Sequence, residues 1–327
     1  MLESATRVAR PFAVVAAAFA LLHASSALAA PSRAWVAWFG QDSDTCGSIV
    51  APCRTMQRAL SNVAAGGDVS MLTPIEGDAM TIFKAVNITN DGAGEAAISN
   101  FQTLAITAGA GDVVSLRGLV LDGTGFTGTG GIVIRSAAGV HVQNCVIRNF
   151  EGRIDADGIV LINSGNTQMF VSDTMVFNNG NLPDTAGIHI SSFGGGGANV
   201  VLDRVHLENN VVALLIDGSI NPGNGAHVVV RDSVVSGNAS DGIRAFTVAG
   251  KAPAFIVVEH SSVVNNFGTG IKADGPHATI LLNDNTITRN GAGIAAANGG
   301  QLISYGNNKN NNNIGPEGAP TGSYSQM

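Results

Sequence analysis

Two stretches of the sequence that begin 28 residues apart decide the fold. They read AHVVVRDSVVSGNASDGI at residues 226–243 and AFIVVEHSSVVNNFGTGI at residues 254–271. In both stretches the residue types alternate at a period of two, which is typical of β-strands. Both stretches end in Asn, a short spacer and Gly-Ile. A repeat of this length predicts a solenoid in which each copy forms one coil.

The repeat extends over the chain from about residue 128 onward. Each copy contains a Gly-Ile strand, except that one copy has Ala213 in place of the glycine. The first residues of these strands are Gly131, Gly158, Gly187, Ala213, Gly242, Gly270 and Gly293. A later asparagine also recurs, as Asn179, Asn210, Asn238, Asn266 and Asn290. Stacked amides hydrogen-bond along a solenoid, and asparagine tolerates the left-handed backbone of a tight corner. We therefore interpret these asparagines as structural.

Three positions of the repeat are apolar in every copy. In the copy aligned on Asp232, they are Val228, Val230 and Val235. A position that is apolar in every copy is expected to point inward and to stack with its equivalents, one residue per coil. The repeat is too short for a propeller blade and shows no helical periodicity. The sequence therefore predicts an all-β fold, a parallel β-helix solenoid.

The N-terminus has the residue order of a secretory signal. Arg7 and Arg10 precede an apolar run that starts at Phe12, and small residues follow up to Ala30. The run is shorter than the ~20 residues that span a bilayer, and no later segment is long enough, so no membrane span is expected in the mature chain. The sequence predicts an exported protein, periplasmic or extracellular.

The composition excludes several classes of protein. Charged residues make up 13 % and hydrophobic residues 45 %, which excludes a disordered chain and supplies a sizeable core. The net charge of −7 gives no reason to expect a nucleic-acid partner. Cys46, Cys53 and Cys145 lack zinc-ligand spacing, and no ordered acidic loop supports a calcium site. We therefore expect no cofactor, with calcium left as an alternative that no motif supports.

The Gly-Ile strands, apolar columns and asparagine corners resemble the right-handed parallel β-helix, pectin-lyase-like superfamily, over most of residues 35–310. The segment CGSIVAPCRTMQRAL, which starts at Cys46, resembles the N-terminal cap of exported bacterial β-helix proteins. This resemblance implies a disulfide between Cys46 and Cys53, followed by a capping helix. The residues with helical spacing that would cover the open end of the solenoid are Met56, Ala59, Leu60 and Val63.

The chain is thus predicted to have four parts. Residues 1–30 form the signal peptide, 31–66 the N-terminal cap, 67–310 the β-helix and 311–327 a loose tail rich in Gly, Pro and Ser. Cys145 stands in a column held elsewhere by Thr, Val, Ser and Asn, which should point inward. We expect a small, buried thiol there, outside any disulfide.

Enzymes of the resembled superfamily carry their catalytic groups on the outward positions of one parallel sheet. In this sequence, the outward positions of the Gly-Ile strands hold a polar set on four successive coils: His189, Asp217, Arg244, Lys272 and Asp274. A base, carboxylates and cations at such spacing suit the binding of an acidic sugar. The competing interpretation is a solvated face on which opposite charges simply pair.

The sequence lacks the catalytic motifs of the superfamily. IDADG at residues 154–158 is only faintly similar to the Asn-Thr-Asp-Gly of polygalacturonases, and the paired aspartates and Gly-His-Gly that should follow are absent. Our leading hypothesis is a protein that binds polysaccharide or another surface ligand along its long face, without established catalysis. The alternatives are a polysaccharide lyase, hydrolase or epimerase acting on uronate glycans, and a structural or adhesive surface protein.

A different outward column is apolar, although the next outward column on the same strands is polar. Its apolar members are Phe170, Val201, Val229, Val257 and Leu281. The β-propensity of such residues on a solvated face is one explanation. The other is a surface covered by a second subunit or by the C-terminal tail. Self-association through this column is therefore a second hypothesis about partners.

Overall fold

The computed structural model describes residues 30–77, 79–99, 103–124, 130–152 and 156–325. The expected signal peptide lies outside these residues except for its last position. In the described part, the chain folds into a parallel β-helix with one short helix near its N-terminus, as the repeat and the resemblance predict. No helix in this part is long and apolar enough to cross a membrane.

The described strands form three parallel sheets with twelve, ten and nine strands. The first sheet consists of β1 (Arg33–Val36), β2 (Gly67–Met71), β5 (Val86–Thr89), β8 (Val113–Arg117), β11 (Gly139–Gln143), β14 (Asn166–Ser172), β17 (Gly197–Asp203), β20 (Ala226–Arg231), β23 (Ala254–Glu259), β26 (Ala278–Asn283), β29 (Gln301–Ser304) and β31 (Gly322–Ser323). The second sheet consists of β3 (Ile75–Gly77), β6 (Ala96–Ile98), β9 (Val120–Asp122), β12 (Val146–Arg148), β15 (Met175–Phe177), β18 (His206–Glu208), β21 (Val234–Ser236), β24 (Ser262–Val264), β27 (Thr286–Thr288) and β30 (Lys309–Asn310). The third sheet consists of β4 (Met80–Ile82), β7 (Leu104–Thr107), β10 (Gly130–Ser136), β13 (Asp157–Leu161), β16 (Ala186–Ile190), β19 (Val212–Asp217), β22 (Ile243–Phe246), β25 (Thr269–Asp274) and β28 (Ala292–Ala297).

The inward sides of these strands form one continuous core. Val228, Val230 and Val235, which represent the three apolar columns, are at most 1 % exposed. The strand register places Val230 directly beside Val258 of the next coil. The inward and outward assignments made from the repeat are therefore confirmed, because a slip of one residue would have exchanged the two faces.

The corner between the first and second sheets is two residues long in the regular coils. Its first residue has a left-handed backbone, with φ between 47° and 52°, at Asn144, Asp173, Arg204, Asp232, His260 and Asp284. Its second residue points inward, and Cys145 is buried there as a free thiol. The Thr174 hydroxyl accepts a hydrogen bond from the Cys145 N–H at 3.2 Å. Small polar side chains thus link one corner to the next.

The corner after the second sheet carries the asparagine ladder. The asparagines Asn179, Asn210, Asn238, Asn266 and Asn290 are at most 1 % exposed. Each Nδ2 donates to the Oδ1 of the next asparagine at 2.7–3.3 Å, and that Oδ1 also accepts the preceding asparagine's backbone N–H. The left-handed φ belongs to the residue before the ladder, such as Asn178 or Asn209. The sequence pattern predicts both the amide ladder and the left-handed backbone at one asparagine, whereas in the structure two neighbouring residues divide these roles.

The N-terminal cap consists of a disulfide loop and helix α1 (Met56–Asn62). Cys46 and Cys53 form the disulfide implied by the resemblance, with their Cα atoms 4.9 Å apart. The Thr55 side chain caps the helix by accepting the Arg58 N–H at 3.2 Å. Met56, Ala59 and Leu60 are buried, so the helix closes the N-terminal end of the core.

The C-terminal segment was expected to be loose over residues 311–327. In the structure, Gly293 and Ile294 donate their backbone N–H groups to the carbonyls of Pro316 and Glu317, both at 2.9 Å. Asn313 extends the asparagine ladder by accepting from Asn290 Nδ2 at 3.0 Å, and its own N–H donates to the Glu317 carboxylate at 3.3 Å. These bonds attach the described part of the tail to the last coil, and most of them use backbone atoms, which composition does not reveal.

Candidate functional site

The outward positions of the third sheet place three of the predicted polar residues, His189, Arg244 and Lys272, in one row. The register pairs Val160 with His189, His189 with Leu215, Leu215 with Arg244, and Arg244 with Lys272. Arg244 and Lys272 therefore stand side by side on adjacent strands, at a spacing of ~4.8 Å. Leu215 separates them from His189.

A second outward row runs beside the first. It pairs Asp217 with Phe246 and Phe246 with Asp274. Asp217 Oδ1 accepts the backbone N–H of Ser219 at 2.8 Å, which is a local turn contact. The structure thus joins Asp274 to the two cations. Asp217 makes a turn contact instead and lies one coil away, on the other side of Phe246.

Asp274 is the anchor of this cluster. It is 6 % exposed, and its Oδ2 lies 3.3 Å from Lys272 Nζ and 3.8 Å from an Arg244 guanidinium nitrogen. Asn298 donates a hydrogen bond to its Oδ1 at 2.7 Å. Burial raises the pKa of Asp274, but the hydrogen bonds from Asn298 and Lys272 and the charges of Lys272 and Arg244 outweigh it, so the pKa lies below its usual value. The carboxylate is therefore ionised.

Arg244 is held from three sides. Its guanidinium packs over the Phe246 ring at 5.1 Å, and one of its nitrogens lies 3.3 Å from Asp184 Oδ1. The Arg244 side chain is 19 % exposed, whereas that of Asp184 is 79 % exposed. Asp184 and Arg244 lie 60 residues apart, so a comparison of neighbouring copies does not detect their contact.

His189 is paired with a buried carboxylate on the neighbouring strand. Its Nδ1 lies 3.2 Å from Asp157 Oδ2, and the Asp157 side chain is 1 % exposed. The other oxygen of Asp157 accepts the Ala186 N–H. A buried aspartate that orients an imidazole is a typical acid–base arrangement. The column alignment missed this pair because Asp157 bonds diagonally, whereas the register partner of His189 is Val160.

The described residues contain one group of three potential metal ligands, Asp42, Cys46 and Cys53. The two sulfurs form the disulfide. Asp42 accepts hydrogen bonds from the backbone N–H groups of Arg54 and Thr55, at 2.8 Å and 3.0 Å. These bonds explain the cluster as part of the N-terminal cap.

The outward apolar column of the first sheet is in register from coil to coil, and its side chains are half-buried. The column comprises Phe170, Val201, Val229, Val257 and Leu281. Phe170 also stacks on His141, with ring centroids 4.8 Å apart. The tail meets the first sheet edge-on, because β31 pairs with β29. Self-association through this column stays a prediction.

The comparison with family models agrees with this architecture. A family model described as "Right handed beta helix region" matches residues 130–314. Among solved structures, a rhamnogalacturonan lyase is similar, with a TM-score of 0.36 and 12 % identity, covering 76 % of this chain and 82 % of that chain. At this TM-score, the similarity supports no inference about site or substrate. None of the curated proteins matches the sequence.

Proposed function

The chain belongs to the right-handed β-helix family, and from this premise we propose that it is an exported protein that binds acidic polysaccharide along the outer face of its third sheet. The observation that carries the proposal is the pairing of Arg244 with Lys272 on adjacent strands. Export is supported by the secretory pattern of the N-terminus and by the disulfide, since disulfides persist in oxidising compartments.

The charges around these cations leave room for an anionic ligand. Asp274 is buried and bonded to Asn298 and Lys272, so it stays in place. Asp184 is 79 % exposed, and an exposed ion pair contributes little to stability. A uronate carboxylate can therefore replace Asp184 on Arg244. With Asp184 displaced, the two cations Arg244 and Lys272 share one fixed carboxylate, Asp274, so this group of three side chains has one excess positive charge.

The shape of Arg244 suits this role. The Phe246 ring under the guanidinium fixes the plane of the side chain. A planar, fixed guanidinium binds a carboxylate with two parallel hydrogen bonds, whereas Lys272 supplies a point charge to the next sugar. The polymer would then run along the solenoid axis, with successive carboxylates beside successive coils.

The decisive experiment compares two double variants that change the net charge equally. Arg244→Ala with Lys272→Ala removes the proposed contacts, whereas Arg204→Ala with Arg231→Ala removes two exposed cations at the end of the first sheet and in the corner that follows it. Affinity for polygalacturonate is measured at low and at moderate salt. We expect the wild type to bind polygalacturonate with an affinity that falls as salt is added. The third-sheet variant should lose about tenfold or more in affinity, the size of two charge-assisted contacts.

Two results contradict the proposal. If the wild type binds no acidic polymer, the proposed function is rejected. Equal losses in both double variants mean that the polymer responds to net charge, without a site on the third sheet.

A second candidate function, a lyase acting on uronate polymers, is favoured by the pairing of His189 with Asp157. A lyase removes a proton from the carbon beside the carboxylate, and an imidazole oriented by a carboxylate supplies such a base. His189 stands two coils from Arg244, at ~10 Å, the span of one or two sugars. Unsaturated product released from polygalacturonate by the wild type, and lost in His189→Ala, is the expected result. Absence of product from the wild type rejects this candidate and leaves the binding proposal intact.

A further inference from the structure

An open groove of about 550 Å³ lies near the N-terminal end of the solenoid, on the second sheet and the cap. It is a different face from the third-sheet row of Arg244 and Lys272. The lining residues that carry the argument are Trp38, Arg54, Glu76, Glu95, Ala97 and Asp122. None of them belongs to the polar set that the repeat singled out, because they lie in the cap and in the irregular first coils.

The backbone that carries Trp38 is tightly held, although its indole is 62 % exposed. The Trp38 N–H donates to the Thr73 hydroxyl at 3.0 Å, and Gly40 closes a turn by donating to the Ala37 carbonyl at 2.9 Å. A Cβ on Gly40 would lie 2.3 Å from the Cys53 carbonyl oxygen, so only glycine fits there. The disulfide loop therefore presents the indole on a rigid support, and its exposure is built into the fold.

The floor of the groove is formed by the second sheet. Glu76 on β3 pairs in register with Ala97 on β6, and the small Ala97 side chain leaves a depression beside the glutamate. The Ser99 hydroxyl donates to Glu76 Oε1 at 2.6 Å, which orients this carboxylate. Glu95 lines the same groove and is exposed. Hydrogen-bond acceptors thus lie close to an aromatic surface.

The groove carries an excess of negative charge. Its lining has the carboxylates of Glu76, Glu95 and Asp122 and the guanidinium of Arg54, and Arg148 beside the groove pairs with Asp122 at 2.9 Å, so three carboxylates are set against two cations. Burial raises the pKa of Asp122, but hydrogen bonds from Thr124, Asn149 and Arg148 lower it to about 2. Asp122 therefore keeps its charge at any ordinary pH. An acidic sugar would be repelled here, in contrast to the third-sheet row.

We propose that this groove binds a cationic amino sugar, with the sugar ring against the indole of Trp38 and its ammonium group against the carboxylates of Glu76 and Glu95. An indole packs against the C–H face of a pyranose and attracts a nearby cation through its π-electrons. Carboxylates accept hydrogen bonds from ammonium and hydroxyl groups, and the charged bonds are the stronger ones. The ligand class is thus a polymer or oligomer of amino sugars with free amines.

The test is calorimetric titration of the full chain with a glucosamine oligomer, the N-acetylated form of the same oligomer and an oligogalacturonate, below the pKa of the amine. We expect binding of the free-amine oligomer alone at this groove. Trp38→Ala and Glu95→Gln should each weaken it by about tenfold, the loss of one stacking or one charge-assisted contact. Phe267→Ala is the matched control, because Phe267 is 85 % exposed and lies in a later coil.

Melting temperatures establish whether each variant folds. If Trp38→Ala does not fold, Trp38→Phe takes its place, because it keeps an aromatic ring. The proposal is overturned if the wild type does not bind the free-amine oligomer. It is equally overturned if the N-acetylated oligomer binds as tightly, or if Trp38→Ala and Glu95→Gln bind like the wild type. The double variant of Arg244 and Lys272 should bind the amine oligomer unchanged, so this proposal and the third-sheet proposal fail independently.

Discussion

The coils before and after residue 125 build the same three sheets with different corners. In the later coils, two residues such as Asn144 and Cys145 join the first sheet to the second, and the asparagine ladder follows. In the earlier coils, the corresponding corner is Gly118-Leu119 in one coil and spans residues 90–95 in another. The repeat in the sequence is therefore produced by the corners, because side chains that bond from coil to coil must recur at a fixed interval. The fold itself tolerates coils without that repeat.

The two regions also differ in their surfaces. In the later coils, outward charges pair with one another, as Lys272 does with Asp274 and Arg231 with Asp203. In the earlier region, the longer corner and the cap border an open groove with an exposed Trp38. Ion pairs occur in both regions, as Arg117 with Asp91 shows for the earlier one, whereas the groove beside Trp38 depends on the irregular corner and the cap.

The largest effect is expected from a charge in the core of the later coils. Val230 is buried between Leu202 and Val258, so Val230→Asp places a carboxylate between two coils. We expect a loss of at least about 3 kcal/mol in the free energy of unfolding. Urea denaturation measures it. Val229→Asp, which points outward on the same strand, should lose far less, and equal losses would contradict the register.

The next effect concerns the cap of the earlier region. Cys46 and Cys53 lie seven residues apart in sequence, and opening so short a loop should lower the free energy of unfolding by about 2.5 kcal/mol. Thermal melts of Cys46→Ser with Cys53→Ser test this value. Cys145→Ser is the control, with a much smaller expected loss, since Ser233 and Ser261 occupy the same column. An unchanged melting temperature in the double variant would mean that helix α1 closes the solenoid without the disulfide.

Each asparagine of the ladder in the later coils is expected to contribute almost as much to the free energy of unfolding as the disulfide does. Asn238 accepts the backbone N–H of Asn210 at 2.9 Å and donates to the Leu207 carbonyl at 3.2 Å. Asn238→Ala leaves both groups buried without these partners, at a cost of about 2 kcal/mol. Asn199→Ala, at an exposed position of the first sheet, provides the control. If the two variants unfold at the same urea concentration, the ladder does not stabilise the later coils.

The smallest expected effect is a pH dependence at the junction of the two regions. Asp122 on β9 accepts hydrogen bonds from Arg148 and Asn149 of the next coil. Its pKa of about 2 lies below the ordinary value of about 3.9, so the folded state binds fewer protons than the unfolded state. The contribution is therefore complete above about pH 4 and disappears as the pH falls to about 2. It should stay below about 1 kcal/mol, because the side chain is partly solvated.

Urea denaturation at several acidic pH values measures this contribution. Asp122→Asn should show a shallower loss of stability between those pH values than the wild type. If the free energy of unfolding of the two proteins falls in parallel with pH, the Asp122 carboxylate does not stabilise the contact between the earlier and the later coils.

Much of the fold could be predicted because inward positions are constrained by contact with the same position one coil away. The columns of Val228, Val230 and Val235 and the inward place of Cys145 follow from this constraint and are confirmed. The disulfide came from the resemblance of the cap segment, since the spacing of Cys46 and Cys53 shows only that a small loop is feasible. The bonds of the tail to Gly293 and Ile294 could not be predicted, because backbone groups carry no sequence signal.

The sequence by itself determined the period, the inward columns, the ladder and the row that places Arg244 beside Lys272, because each of these depends on residues one period apart. Only the tertiary structure decided which charges meet. His189 bonds Asp157 diagonally, Arg244 meets Asp184 from a distant loop, and Trp38 lines one groove with Glu76 and Glu95. Such contacts depend on loop paths and side-chain directions, which differ from coil to coil. A repeat constrains what every coil shares, whereas a binding site is made from what single coils do not share.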